Sequence, residues 1–422
     1  MPVWATVICV MFAALIVFCS TYVFLTDRYN TSLNELEARG IELSKDPIKF
    51  QSAVSPELAN MYSLIDEISE LYEKHYIREA DYEKAAKNLV AEYANATGDR
   101  YAYYYTAEDW EKEQGDSNGN SVGIGVYVEP YETSATGKLL ITHVMNDSPA
   151  KKAGLADGDV VVSIDGTDLS SVTYSEAVSI CLGEVGTDVV LEIMRGENKL
   201  TVTVTRNTYE VETVIYEMIE TDGRKIGYIR ILQFYYITVE QFENAVDTLR
   251  SNGCDGIIFD VRSNPGGMLY SVCEMLDYLL PSGPIVKLTY KNGAENVYRS
   301  NSKCVAGVPM VVITNESTAS AAELFTAALK DYDYATVVGT KTFGKGCGQT
   351  TFDLKNGGKI SITSFLYSPP YSDNYDGVGI YPDIEAELDA DAANKSIFTL
   401  EKNEDNQLKA AIDEMLKKIK DK

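Results

Sequence analysis

Histidine is nearly absent from this chain: His75 and His143 are the only two in 422 residues. A histidine-based catalytic triad or a His-rich metal centre is therefore close to excluded before any motif is considered. Cysteine is scarce and scattered. The seven are Cys9, Cys19, Cys181, Cys254, Cys273, Cys304 and Cys347, an odd number without the close spacing of a disulfide framework or a zinc cluster. Positive charge is also short, with 37 Lys and Arg against 63 Asp and Glu and a formal net charge of -26. That balance argues against a nucleic-acid partner, which needs a basic surface. No metal or cofactor signature is present, and none is expected.

What is abundant at the start is apolar sequence. Residues 1–26 carry no charged side chain. Val3 to Leu25 is long enough to cross a bilayer as a helix, so a transmembrane anchor over 1–26 is expected. A cleaved signal peptide is disfavoured because no small-x-small site precedes Asp27. A lipid anchor at Cys19 is disfavoured by Val17 and Phe18 before it. No basic residue precedes the span, so charge does not orient it. A polar stalk, 27–56, follows. Apolar residues at helical spacing in Leu58–Glu73 and Asp81–Ala94 predict a small helical hairpin within an N-terminal helical region, 57–120. The tyrosine-rich corner Tyr101–Tyr105 is expected to pack between that hairpin and the core. Thr106 with Glu108 is expected to cap a short helix.

Residues 121–206 read as a compact β unit with short helices. Ser148-Pro149-Ala150 opens a helix, Gly154 and Gly158-Asp159 turn the chain, and Asp188–Met194 with Lys199–Thr205 forms a hairpin. This order resembles a PDZ domain of the circularly arranged kind found in bacterial proteases. The resemblance implies that Ile124, Gly125 and Val126 form the loop that binds a peptide's terminal carboxylate. Successive backbone N–H groups can hold the carboxylate while the peptide pairs with a sheet edge. One departure is Leu182, where related proteases often carry an arginine that couples peptide binding to activity.

From residue 207 to 389 strands and helices alternate, which predicts an α/β core with a helix-covered sheet. Thr213–Gly223 reads as a linker, Lys225–Ile231 and Gly256–Val261 as strands, and Val239–Arg250 and Met268–Leu280 as helices. Such sheets place their sites beyond the carboxyl ends of the strands. Two loops sit at such ends: Asn264-Pro265-Gly266-Gly267 and the segment around Ser320. The last stretch, 390–422, carries an amphipathic helix. It is expected to dock back on the core; its bolder reading is a homodimer contact.

Ser320 lies at a strand-to-helix corner and Lys345 between Gly344 and Gly346 on a glycine-rich loop. A serine hydroxyl is a weak nucleophile until a base takes its proton. With no suitable histidine, a lysine can serve if burial lowers its pKa. Gln349 could orient the amine without adding the negative charge that would raise that pKa. An oxyanion needs donors: the Ala321 N–H at the corner, and a second from the Gly266-Gly267 loop. Glu323 reads as support for the helix. On physics alone, a small-residue helix start beside a mobile glycine loop competes evenly with this reading. Cys347 lies two residues from the lysine but is disfavoured as a nucleophile with serine and lysine both at hand.

These residues carry a second resemblance. Ser317-Thr318-Ala319-Ser320-Ala321-Ala322-Glu323, Phe343-Gly344-Lys345-Gly346-x-x-Gln349, Arg262-x-Asn264-Pro265-Gly266-Gly267 and Gly377-x-Gly379-Ile380-x-Pro382-Asp383 are similar to the carboxyl-terminal processing proteases. These are tail-specific Ser-Lys peptidases that carry a PDZ domain. The resemblance implies Ser320 as nucleophile, Lys345 as base, Gln349 as assistant, and Ala321 with Gly266 or Gly267 as oxyanion donors. The family spacing of 25 residues to the lysine selects Ser320 over Ser317. It also implies protein or peptide substrates with apolar C-termini. The resulting expectation is an α+β and α/β multidomain chain: membrane helix, small helical region, PDZ-like β domain, α/β protease core. Its expected location is a single-pass cell-membrane protein with the protease domain extracytoplasmic. The competing expectation is a catalytically silent PDZ adaptor.

Overall fold

The computed structural model describes residues 55–131, 137–301 and 307–421. Among the described residues, no helix is long and apolar enough to cross a membrane. The membrane-helix expectation, with its membrane partner and single-pass location, is corrected on that finding. The stretch on which it rested, 1–26, and the stalk to residue 54 lie outside the described residues, as does Cys304. The one described helix of sufficient length, α1 (Pro56–His75, 20 residues), carries Glu57, Asp66, Glu67, Glu70, Glu73 and Lys74. That charge density is incompatible with hydrocarbon.

The described residues fall into two compact units, divided between Ala85 and Ala86. The first holds α1 and the start of α2 (Tyr82–Ala96). Ser55 caps α1, with Pro56 in its first turn, where a missing N–H costs nothing.

The second unit begins with the rest of α2, then β1 (Tyr103–Tyr105) and α3 (Ala107–Ser117). Thr106 does cap α3, but its partner is Asp109, not Glu108. The Thr106 hydroxyl accepts from the Asp109 N–H at 3.1 Å, and the Asp109 carboxylate accepts from the Thr106 N–H at 3.2 Å. The third helical position is the one that can reach back.

The PDZ-like region enters on β2 (Asn120–Gly123), which pairs with the exit strand β9 (Asn207–Glu210). Between them run β3 (Val126–Pro130), β4 (Leu139–Val144), α4 (Pro149–Ala153), β5 (Val160–Ile164), β6 (Thr167–Asp168), α5 (Tyr174–Cys181), β7 (Asp188–Arg195) and β8 (Asn198–Thr205). Sheet order is β3-β4-β5-β7-β8, with β6 beside β5, so β3 is an edge strand. Alternation on β7 turns Val189, Leu191 and Ile193 into the core with Ile141 and Ile164.

The core follows: β10 (Val214–Thr221), β11 (Arg224–Ile231), α6 (Tyr236–Ser251), β12 (Gly256–Asp260), α7 (Leu269–Leu279), β13 (Gly283–Tyr290), β14 (Glu295–Ser300), β15 (Met310–Thr314), α8 (Ala321–Asp331), β16 (Ala335–Gly339), β17 (Cys347–Asp353), β18 (Lys359–Ser368), β19 (Ile384–Glu385) and α9 (Asn406–Lys420). The main sheet has the order β10-β11-β12-β15-β16-β19 and is parallel except for β10. The expected linker Thr213–Gly223 is therefore corrected to an antiparallel edge strand. It disguised itself with Glu217, Glu220 and Thr221, polar positions an edge tolerates. A second sheet, β1-β18-β13-β14 with β17 on β18, lies apart.

Period-two alternation splits the main sheet between two apolar clusters. Ile229, Ile231, Ile257, Phe259 and Val312 join residues of α6, α7 and α8. Ile226, Tyr228, Ile258, Val311 and Ile313 face α9 through Leu408, Ala411, Met415 and Leu416. Docking of α9 thus holds, and its apolar face is covered by its own sheet, which removes the basis for a homodimer contact there. A buried ion network fastens it. Arg262 donates to Asp260 and to Asp405, the capping residue of α9, with closest contacts of 2.6 and 2.7 Å. Burial opposes the charge on Asp260, yet Arg262 and Arg230 hold it ionised well below the usual carboxylate range.

Parallel pairing of β12 with β15, Asp260 opposite Ile313, releases two loops side by side at the carboxyl end of the sheet. One holds Gly266 and Gly267, the other Ser320.

Candidate active site

Ser320 occupies a strained corner, with φ 56° and ψ −119° at the start of α8. A non-glycine residue there costs about 1–3 kcal/mol, and persists only if its surroundings enforce it. Several contacts do. The Ala319 N–H bonds the Asn264 carbonyl at 2.9 Å, and the Phe343 N–H bonds the Thr318 carbonyl at 3.0 Å. Behind the corner, Phe325 packs edge-on to Phe259 at 5.3 Å between ring centres.

Glu323 goes beyond helix support. It is fully buried, and its carboxylate accepts four donors: Ser320 N–H at 2.9 Å, Thr342 Oγ1 at 2.5 Å, Gly344 N–H at 2.7 Å and Lys345 N–H at 2.8 Å. One side chain therefore ties the serine corner to the lysine loop.

Lys345 is half-buried, and its Nζ donates to Gln349 Oε1 at 3.0 Å. Burial holds its pKa below the ordinary lysine value, against the opposing pull of Cys347, Asp99 and Asp376. Gln349 Nε2 in turn donates to Thr363 Oγ1 at 3.2 Å, and that hydroxyl donates to Asp99 at 2.8 Å. Nζ also lies 4.4 Å from the centre of the Tyr101 ring. The tyrosine corner, expected as packing for the hairpin, thus reaches the lysine. Among the described residues no hydrogen bond joins Ser320 Oγ to Lys345 Nζ. Instead the Tyr367 hydroxyl stands 3.3 Å from Ser320 Oγ and donates to the Lys345 carbonyl at 2.6 Å. With that proton engaged, the phenol oxygen is left to accept from the serine. Burial pushes the Tyr367 phenol well up, so it stays protonated.

The two expected glycines divide their duties. The Gly266 N–H is taken by Asn264 Oδ1 at 2.8 Å, so it is not available to an oxyanion. Gly266 instead permits close approach. At φ 101°, a Cβ there would stand 2.7 Å from Ser320 Cβ and 2.8 Å from Ala321 N. The N–H groups of Gly267 and Ala321 have no acceptor among the described residues, and both residues line one cleft of about 280 Å³ with Ser320, Gln349 and Tyr367. Cys347 is buried, and burial pushes its thiol up to about 11, which removes it as a nucleophile. His143 is remote from this cleft. Though burial opposes the charge, Asp157 and Glu212 push its pKa up to about 9. Tyr367, Tyr101, Asp99 and Thr363 were missed in the sequence; a tyrosine in an alternating strand carries no signal of such a role.

Ile124, Gly125 and Val126 line a second pocket, of about 140 Å³, between edge strand β3 and α5. The Ile124 carbonyl accepts from Ala150 at 2.8 Å and the Gly125 carbonyl from Met145 at 3.2 Å. In a trans peptide each N–H opposes its carbonyl, so those of Gly125 and Val126 point away from these partners. Val128, Val178 and Leu182 give the pocket an apolar wall.

The model of peptidase family S41 matches residues 225–386 and that of the PDZ domain residues 122–205. The carboxy-terminal processing protease CtpA of Bacillus subtilis is 30% identical over 331 residues, 77% of this chain and 70% of that protein. The chain belongs to this family of carboxy-terminal processing proteases. It is a serine-type endopeptidase with a PDZ domain. A probable CtpA-like serine protease of Staphylococcus aureus is 30% identical over 76% of this chain and 64% of its own length. In fold, the chain resembles a putative S41 protease from Bacteroides fragilis, with TM-score 0.55 and 19% identity over 71% of this chain and 84% of that one.

Proposed function

We propose that Ser320 is the nucleophile, Lys345 the general base and Gln349 its orienting partner, acting on protein tails. The observation that carries this reading is the Lys345 amine. It is desolvated by burial and fixed by an uncharged amide, on a backbone that shares the Glu323 carboxylate with Ser320 at its strained helix start. Neutral Lys345 takes the Ser320 proton as the hydroxyl attacks a peptide carbonyl. The Gly267 and Ala321 N–H groups receive the oxyanion. The lysine ammonium then protonates the leaving amine, and the same lysine activates water to release the acyl-enzyme.

Substrates are proteins with apolar C-termini. The N–H groups of the Ile124-Gly125-Val126 loop receive the terminal carboxylate, the tail adds to edge strand β3, and its last side chain meets the Val178 wall. In this scheme 57–120 is a helical region, 121–206 the tail-binding domain, 207–389 the protease core and 390–422 its C-terminal brace. The open Ser320–Lys345 pair is a resting geometry that closes on substrate binding. It is also the one observation favouring a silent adaptor.

Both readings meet in one assay, with a partly unfolded substrate ending in an apolar tail. The wild type is expected to cleave it, and Ser320→Ala and Lys345→Ala are each expected to lower the rate on the order of 10⁴-fold with the fold intact. Retained cleavage in either variant overturns the assignment. Tail binding without turnover in the wild type establishes the adaptor.

A further inference from the structure

The Ser320 cleft contains one charged side chain, Glu113, among its lining residues. It comes from α3, the helix that Thr106 caps, which also sets Trp110 on the cleft wall one turn earlier. Glu113 is half-buried and has neither an ion pair nor a hydrogen bond to another side chain among the described residues. Its charged neighbours are Lys112 and Asp116 on the same helix. On the far side, Lys359 lies 5.0 Å from the centre of the Trp110 ring and is paired with Asp353. Met268, Leu269, Leu324 and Phe365 give the wall its apolar side, and the uncharged Gln349, Thr351, Ser361 and Tyr367 its polar side.

A desolvated carboxylate without a partner is costly, and a ligand that pairs it recovers that cost. Burial already pushes the Glu113 carboxyl up, as expected for an acid waiting for a cation. The chemistry of the wall specifies the visitor: an aliphatic stem along Met268, Leu269 and Leu324, ending in a positive head. Lysine and arginine have that form, and both bury their stems while keeping their charge paired. When the attacked carbonyl oxygen sits at Gly267 and Ala321, the nearest substrate side chain belongs to the residue supplying that carbonyl.

We propose that Glu113 is a specificity-determining residue, which selects a lysine or arginine on the acyl side of the bond that is cut. This inference rests on the reading of Ser320 as nucleophile beside this cleft.

The test uses the full chain and three fluorogenic peptides with one shared apolar tail, differing only at the acyl-side residue: lysine, norleucine or glutamate. Norleucine keeps the stem and removes the charge. The wild type is expected to show kcat/KM about tenfold higher for lysine than for norleucine, the size of one charge-assisted contact. In Glu113→Gln that ratio is expected to fall to about one. In Glu113→Lys the glutamate peptide is expected to become the better substrate. A wild type that cuts norleucine and lysine peptides equally, or a Glu113→Gln variant that keeps the preference, overturns the proposal. Failure of the wild type to cut any of the three overturns the protease reading, and the inference with it.

Discussion

Two clefts border α3, and they are built in opposite ways. Trp110 and Glu113 face the Ser320 cleft, whereas Lys112 and Asp116 face the pocket at β3 and α5. Around Ser320 nearly every polar group has a partner, and Glu323 alone accepts four. The exceptions include the Glu113 carboxylate farther along the cleft, the Tyr101 hydroxyl, and the N–H groups of Gly267 and Ala321, where a developing negative charge would fall. At the second pocket the opposite holds: β3 ends its sheet and offers its outer edge to another strand. Chemistry needs donors and acceptors fixed in advance; capture of a varied chain needs a row of backbone groups left open. The contrast separates what must be rigid from what must be adaptable.

The sharpest way to break that contrast is to unpin the rigid side. Glu323→Ala leaves the N–H groups of Ser320, Gly344 and Lys345 and the Thr342 hydroxyl without their common acceptor. Each orphaned buried donor costs about 1–3 kcal/mol. The expected outcome is a loss above about 3 kcal/mol in denaturant titration, with activity abolished even where the protein remains folded. A variant of near-normal stability and rate would show that the corner is held by other means.

This pinning shows where sequence reading succeeds and where it stops. Ser320, Ala321, Lys345 and Gln349 lie within 30 positions, so local spacing and residue type raised them as candidates, and the family resemblance chose them over the bland reading of a helix start beside a glycine loop. The strand-helix alternation of the core was legible for the same reason. Contacts across the chain were not. Asp99 meets Thr363 over 264 positions, and Tyr367 reaches Ser320 from an alternating strand in another sheet. The bond from Gly266 to Asn264 and its close approach to Ser320 distinguish the two loop glycines, and composition carries no trace of either. Strand β10 was mistaken for a linker because edge strands keep polar residues. The membrane expectation rested on hydropathy alone.

A second, smaller effect tests the lysine through pH. In the proposed mechanism Lys345 acts as a base only when neutral, so the rate is expected to rise as pH rises through its lowered pKa. Gln349→Glu places a carboxylate where the amide oxygen stands 3.0 Å from Nζ. That favours the ammonium and raises the pKa, moving the rising limb of the kcat/KM profile up by about 1–3 pH units. Activity at neutral pH drops about tenfold for each pH unit moved, and is recovered in alkaline buffer. An unmoved limb would remove Lys345 as the titrating base.

The smallest effect is expected at the adaptable pocket. Val178 on α5 forms part of its apolar wall, and a carboxylate there would both remove the apolar contact and repel a terminal carboxylate. Val178→Asp is expected to weaken cleavage of a substrate with an apolar tail about tenfold, mainly through KM. Lost apolar side-chain burial and one unfavourable charge are together worth about 1.5 kcal/mol, which is that tenfold. Val178→Ile keeps the wall and should stay within about twofold of the wild type. The informative quantity is the ratio between a tailed substrate and the same substrate with its last residue amidated. The wild type should separate the two and Val178→Asp should not. If both proteins treat them alike, tail capture does not pass through this pocket. The open edge of β3 would then serve some other strand, and the division of labour between the two clefts would fail on its recognition side while standing on its chemical side.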